Sequence, residues 1–510
     1  MNRNIKKIIV AFMVVVSIGS VTTFNNIARA DEIRYQSIEN IQLDEELTEE
    51  ILESMFPDEA FREVIIRNIT WTVFNNPQAV PDIQSNKITL RKIQSLKYLL
   101  AMEEGIESIE GIRYLANLKE INLEGNRIEK IPEEIKNLQL LDKLILANNE
   151  LDCIEEPVFT LSKLRWLDLS GNNLKEIPEE IGNLATLDRL DISNNELEVL
   201  PKGIGRLKNL IRLVAYDNEI EEIPEEIANL NYLREINLFN NKLKGLPESI
   251  GTFKELMYLR LGNNEIEQIP DTIGKLSKLY HLSLNNNNIE VVPEAIGNLA
   301  KVQELNLSNN GIEKLPYTLG NMISLKELQI CDNEIENLPE TLINLSSLKI
   351  LRASNNEIQK VQETSMPSNL EYLYLDNNEL NHIPVVNNLK LLDVSYNEIE
   401  KFNDGIIAMK KLSFLNLKGN DIEEISSIIG NMKSLTGLDL SDNSLEFVPD
   451  SITELVRLQG LYLSDNELEY IPENIGNLSE LRFLDISGNH IEELPESIKN
   501  LTKLKKLIMD

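Results

Sequence analysis

Two cysteines, three histidines and two tryptophans in 510 residues leave this chain short of the side chains that most catalytic and metal chemistry uses. His281, His382 and His490 form no H-E-x-x-H arrangement, and there is no C-x-x-C pair, no G-x-S-x-G elbow and no glycine-rich phosphate loop after a strand. Zinc hydrolysis, serine-nucleophile hydrolysis, dithiol redox chemistry and nucleotide-phosphate binding have no residues to run on, so the chain is read as no enzyme, with no cofactor and no metal. Aromatics make up only 5% of the chain, too few for the core of a large globular enzyme. Cations are scarce as well. Lys and Arg number 50 against 83 Asp and Glu, which gives a formal charge of −33 and a surface that repels nucleic acid phosphates and anionic lipid headgroups.

One long apolar run is present, and it lies at the start. A basic stretch from Asn2 to Lys7 precedes an apolar segment from Ile8 to about Val21, and Ala28-Arg29-Ala30 offers small residues where a signal peptidase reads them. Residues 1–30 are therefore read as an export signal, with cleavage before Asp31 and a secreted or cell-surface destination. Loss of Arg3, Lys6, Lys7 and Arg29 with that segment would take the charge from −33 to −37. No later apolar run reaches spanning length.

What the chain has in abundance is repetition. The pattern L-x-L-x-x-N-x-L returns with its asparagine at Asn126, Asn149, Asn172, Asn195, Asn218, Asn241, Asn264, Asn287, Asn310, Asn333 and Asn356, each 23 residues after the last. One spacing of 22 leads to Asn378 and one of 19 to Asn397, after which the 23-residue period resumes at Asn420, Asn443, Asn466 and Asn489. Within a unit, Leu167 and Leu169 alternate with Trp166, Asp168 and Ser170, the period-2 signature of a short strand with one buried face. The asparagine follows the strand, where a buried amide is tolerable only if it bonds the free backbone groups of its own turn and of the next coil. This predicts an asparagine ladder. Asn240, one residue before Asn241, reads as a surface position whose replacement by alanine should be nearly neutral.

The second half of the unit, as in Ile177-Pro178-Glu179-Glu180-Ile181-Gly182-Asn183-Leu184, predicts a short helical turn. Proline is expected at its first position, and glycine is expected to accept the backbone that ends it. Acidic doublets such as Glu179-Glu180 and Glu225-Glu226 recur at fixed repeat positions and read as a solvating face. No coil can bury its apolar face alone, so stacking of neighbours supplies the stability. Cys153 and Cys331 stand about eight repeats apart, at roughly 4.8 Å per stacked strand, too far for a disulfide.

Ahead of the repeats, Asp58 in Phe56-Pro57-Asp58-Glu59-Ala60-Phe61 reads as a helix N-cap, and Phe61, Val64, Ile65 and Ile69 follow at helical spacing. A second helical segment from about Leu90 to Leu96 leads into a degenerate first strand, Leu99-Leu100-Ala101, with Glu104 standing where the ladder asparagine would be. On these residues the chain resembles the 23-residue bacterial leucine-rich repeat type, and its N-terminal stretch resembles the cap of the internalins, surface and secreted adhesins of Gram-positive bacteria. The resemblance implies an α/β leucine-rich-repeat solenoid, or horseshoe, with a parallel sheet on the concave face, short helical turns on the convex face and a small helical cap. Expected boundaries are 1–30 for the signal, 31–98 for the N-terminal region and cap, and 99–510 for the array, with irregular coils at about 356–397. Internalins use 22-residue coils closed by an immunoglobulin-like segment, and this chain departs from both features.

Binding is then expected on the concave sheet, at positions six, four and two before each ladder asparagine. Most are small or polar, so large aromatics there require a reason. One group is Trp166, Tyr216, Phe239 and Tyr258; a second is Tyr372, Tyr374 and Phe414, with Tyr396 one residue before its asparagine; Tyr462 and Phe483 stand apart. The function expected is that of a secreted, non-catalytic protein-binding adhesin or virulence-type effector with a protein partner, which a host-cell surface could supply. The alternatives are a glycan-binding envelope component and the recognition part of a larger surface protein. The final coil, with Leu501, Leu504, Leu507 and Met509, is expected to fray or to self-associate.

Overall fold

The computed structural model describes residues 41–75 and 87–509, with side chains 71–75 left aside. The expected export signal lies outside these residues. They form two compact units, one ending at Leu174 and the other starting at Lys175.

The first unit opens with helices α1 (Glu49–Met55), α2 (Glu59–Asn75) and α3 (Leu90–Ser95). Sequence patterning points to α2 and α3. The two-turn α1 is too short to show a period, although Thr48 caps it and Glu49 and Glu50 favour its first turn. Asp58 caps α2 by accepting from Phe61 N–H at 2.8 Å. Its second oxygen accepts from Glu107 and Ser108 N–H, both at 2.9 Å, so one carboxylate joins cap to array. Phe61, Val64, Ile65 and Ile69 are all buried. Four parallel strands follow, β1 (Tyr98–Leu100), β2 (Glu120–Asn122), β3 (Lys143–Ile145) and β4 (Trp166–Asp168), with Leu99, Ile121, Leu144 and Leu167 in register. Glu104, lacking an amide, instead meets Arg67 of α2.

The second unit continues the pattern, one three-residue parallel strand per coil, from β5 (Arg189–Asp191) to β19 (Lys506–Ile508). The strands used below are β6 (Arg212–Val214), β7 (Glu235–Asn237), β8 (Tyr258–Arg260), β9 (His281–Ser283), β12 (Ile350–Arg352), β13 (Tyr372–Tyr374), β14 (Leu391–Asp393), β15 (Phe414–Asn416), β16 (Gly437–Asp439), β17 (Gly460–Tyr462) and β18 (Phe483–Asp485). Each coil buries a ring of aliphatics. In the coil of β9 these are Leu282, Leu284, Ile289, Val292, Ile296, Leu299 and Val302, and at about 1.5–3 kcal/mol for each fully buried side chain this burial is the main stabilising term.

The turns opposite the strands are short 3-10 helices, for example Glu179–Asn183 and Glu294–Asn298. Proline caps them from outside: Pro178 has φ −60° and ψ 150°, extended geometry that precedes the turn instead of beginning it. The glycine expectation is also corrected. Gly182, Gly297 and their equivalents lie inside the turn without positive φ. A Cβ on Gly297 would fall 2.2 Å from the carbonyl oxygen of Thr318 in the next coil, so the residue is glycine because neighbouring turns touch there. On the strand-turn side a second, minimal parallel ladder links Gly245, Gln268, Val291, Lys314, Asn337 and Lys360, one bridge per coil. Beyond Lys360 the irregular coils begin. The turn shrinks to Glu363–Ser365, and among the described residues no helical turn separates β13 from β14.

Candidate protein-binding surface

The frame for the surface is the asparagine column. Asn241 donates through Nδ2 to the carbonyls of Leu238 (3.2 Å), Phe239 (3.3 Å) and, in the preceding coil, Ala215 (3.0 Å), while its Oδ1 accepts from Ile220 N–H at 3.0 Å. The same bonds recur within each unit, for example at Asn126 and Asn149 in the first and at Asn264, Asn356, Asn397 and Asn466 in the second. One amide thus satisfies backbone groups of two coils and fixes where each strand ends.

A second column was not anticipated. The residue before each of the seventeen ladder asparagines has φ between +51° and +73°. It is Asn, Asp or Gly in every coil but one, the residues that tolerate this left-handed backbone. Several also bond between coils: Asn240 Nδ2 donates to Asp217 at 2.6 Å, and Asn309 donates to Asn286 at 2.6 Å. Asn240 is therefore no neutral surface position. The exception is Tyr396, a bulky residue at φ +52°. Its ring is 45% exposed and lies across Gly419, where a Cβ would be 2.5 Å from Tyr396 Cδ1. Tyr396→Asn should raise the unfolding free energy by up to about 1 kcal/mol, because left-handed backbone costs an L-residue roughly 1–2 kcal/mol and the lost ring contact returns part of it. A loss of stability in urea titration would mean that the ring packs more strongly than its backbone is strained.

The other aromatics stand on the outward face. Trp166 begins β4 in the first unit, with Lys143 Nζ 3.9 Å from its ring centroid. In the second unit Tyr216 and Phe239 take the same position in adjacent coils, tied by Asp217 N–H to Phe239 carbonyl at 3.0 Å. Tyr258 begins β8, 6.0 Å from Tyr280 and 5.4 Å from the Arg260 guanidinium. Tyr372 and Tyr374 share β13, with Lys390 5.9 Å from the first ring and Arg352 4.5 Å over the second. Phe414 begins β15 and lies over Gly437 of β16, where a Cβ would be 2.5 Å from its ring. Tyr462 of β17 stands beside Gly460, and Phe483 of β18 is 41% exposed. Except for the exposed Tyr396 and Phe483, these rings are half-buried. The cations on them and Tyr280 were missed by reading residues singly. Lys143 and Trp166 are one period apart and in register, so stacking the repeats would have paired them.

The sequence model described as leucine-rich repeat region matches residues 152–242, 215–290, 270–376 and 449–510, more than half of the chain. The chain belongs to the leucine-rich repeat family. Two further models of the family match residues 426–468 and 117–138. No curated protein matches. Among solved structures, a leucine-rich repeat protein of Leptospira interrogans is 29% identical with a TM-score of 0.66, covering 79% of this chain and 98% of that one. The ectodomain of the Arabidopsis thaliana membrane receptor kinase GASSHO1/SCHENGEN3, solved in complex with CASPARIAN STRIP INTEGRITY FACTOR 2, is 30% identical (TM-score 0.58; 79% of this chain, and 54%, about half, of that chain). InlJ of Listeria monocytogenes, at 17% identity and TM-score 0.58 over 82% of this chain and 80% of that one, shares the fold. Leucine-rich repeats typically serve as non-catalytic scaffolds for protein contacts, and the matches indicate no enzymatic family.

The rarer side chains of this leucine-rich repeat chain lie apart from one another. His281 Nδ1 meets Glu304 at 3.0 Å on the sheet, His382 meets Asn381 at 3.0 Å, and His490 follows Asn489 in a turn. Cys153 is a free thiol pushed up to about 11 by its hydrogen bond with Asp152 and by burial, and burial also raises the free thiol of Cys331, so both stay protonated at neutral pH. Among the described residues no group of three His, Cys, Asp or Glu is placed to hold a metal, and no helix is long and apolar enough to cross a membrane.

Proposed function

We propose that this chain is a secreted, non-catalytic binding protein that holds a protein partner on the outward face of its sheet, in the manner of a bacterial surface adhesin or secreted virulence-type effector. The observation that carries the reading is the set of half-exposed aromatic rings set by main-chain registers and amide ladders on outward strand positions. Such rings lose little entropy on binding, and buried aromatics dominate interface energies. The plant receptor ectodomain solved with its partner lends support by fold and by 30% identity.

Secretion rests on the N-terminal segment. Protein recovered from culture supernatant should begin at Asp31 by mass spectrometry, and recovery of the intact chain only from cytosol would remove the export reading. The binding reading is tested by incubating the tagged mature chain with host-cell surface extract and identifying captured proteins. A single enriched protein is expected. Phe239→Ala with Tyr258→Ala should weaken its affinity by at least about 2 kcal/mol, roughly thirtyfold, at a cost in stability below about 1 kcal/mol. Capture of wall polysaccharide alone would favour an envelope component that binds glycan.

A further inference from the structure

The first outward position of each strand divides the second unit into two parts. From β5 to the coil of Glu327 it is mostly charged, and these charges compensate one another across the sheet: Arg212 to Glu235 at 3.3 Å, Arg260 to the same Glu235 at 2.6 Å, His281 to Glu304 at 3.0 Å. From β12 to β18 this position carries no charge, and Lys506 of β19 closes the row beside Phe483. Ile350, Tyr372, Leu391 and Phe414 stand side by side in register, and the row continues through Gly437 and Gly460 to Phe483. Six steps of about 4.8 Å make an apolar stripe roughly 29 Å long, the span of about nine residues of extended chain at about 3.3 Å each. Both glycines are buried, the first against the Phe414 ring and the second against the Tyr462 ring, so these rings form the surface of the row there.

One margin of the stripe is acidic. Asp393, Asp439 and Asp485 occupy the third strand position, and Asp442 and Asp465 follow in the turns. The cations on that side are already engaged: Arg352 with Glu327 at 3.2 Å, and Lys418 with Tyr396, which raises the ammonium's pKa by hydrogen bonding. Among the described residues Asp439, Asp442, Asp465 and Asp485 have no Lys or Arg ion pair. Lys418 also feels the charges of Asp439 and Asp442, yet the five aspartates outnumber Arg352 and Lys418, and an apolar row bordered by such an excess of carboxylates complements a ligand that is itself apolar and cationic.

We propose that the stripe from Ile350 to Phe483 receives an extended, cationic polypeptide segment of about nine residues, its apolar side chains on the row and its lysines or arginines against the aspartates. The assignment rests on the protein-binding reading above and names the chemistry and place of the contact. Neutral glycan would leave the excess of carboxylates unmatched, and an acidic segment would be repelled by it.

The test uses the full chain and a fluorescein-labelled nonapeptide of alternating leucine and lysine, read by fluorescence anisotropy at low and high salt. The expected result is saturable binding that weakens with salt, while the leucine-glutamate nonapeptide binds at least tenfold more weakly. Asp439→Asn with Asp485→Asn keeps the local hydrogen-bond acceptors, and should cost about tenfold and flatten the salt dependence. Leu391→Lys should also cost at least tenfold. Unchanged thermal unfolding of the aspartate variant would show that the losses are local. Equal binding of the two nonapeptides would overturn the proposal, and so would native-like binding and salt dependence in the folded aspartate variant. Displacement of the peptide by maltoheptaose, with direct sugar binding lost in Leu391→Lys, would assign the stripe to carbohydrate and overturn it too. If a captured protein is released by Phe239→Ala with Tyr258→Ala but not by Leu391→Lys, the stripe assignment fails while the protein-binding reading stands. If no protein is captured and the lysine peptide still binds as described, the broader reading fails and the stripe's chemistry holds.

Discussion

Asn241→Ala is expected to lower the unfolding free energy by about 1–3 kcal/mol, because it strands the buried N–H of Ile220 and takes one of two donors from each of the carbonyls of Ala215, Leu238 and Phe239. The informative comparison is one residue earlier. Asn240→Ala places an alanine at φ +54° and removes the bond to Asp217, for a loss of roughly 1–2 kcal/mol, whereas Asn240→Gly removes only the bond and should cost a few tenths. Urea titration with hydrogen exchange resolved by coil separates these outcomes, since a repeat array can open locally. If Asn241→Ala and Asn240→Gly shift the midpoint equally, the buried amide is not what holds the coils together.

Gly297→Val is expected to cost about 2–3 kcal/mol, and to loosen the turns on either side of Gly297 first. The added Cβ would stand 2.2 Å from Thr318 carbonyl oxygen and 2.5 Å from Thr318 Cβ, so the turn of one coil must move off the next, and overpacking of a closed interface carries a penalty of this size. Gly245→Ala is the control. Nothing lies within 4 Å of its Cβ, and a small entropic gain offsets any other change. The chain itself shows when the position relaxes: Ile343 replaces this glycine in the coil that precedes the shortened turn Glu363–Ser365, and its side chain is 51% exposed. A Gly297→Val variant that unfolds with the native midpoint would show that the turns are not in firm contact.

Strand positions were legible because their signal is local. A buried Leu at every second residue and an asparagine at a fixed offset each state a requirement that the residue itself must meet, and repetition of that statement removes ambiguity. The helical spacing of Phe61, Val64, Ile65 and Ile69 belongs to the same class. By contrast, Asn240 and Gly297 were misread because their constraint comes from the next coil. A left-handed φ is imposed where the chain turns beneath its neighbour, and the missing Cβ at Gly297 answers a carbonyl 21 residues away. The aromatics were found one by one, yet the Lys, Arg and Tyr that accompany them lie across the sheet.

Sequence alone therefore determined the repeat, its strand and turn, the faces of each strand and the absence of motifs for the chemistries considered, since each depends on residue type at fixed local spacing. The tertiary structure decided which outward residues stand side by side. The registers of β12 to β18 join Ile350, Tyr372, Leu391, Phe414 and Phe483 into one row, and stacking sets an excess of aspartates along it. Coils of 22 and 19 residues break the simple period there, and the main-chain hydrogen bonds between coils keep the row aligned across them.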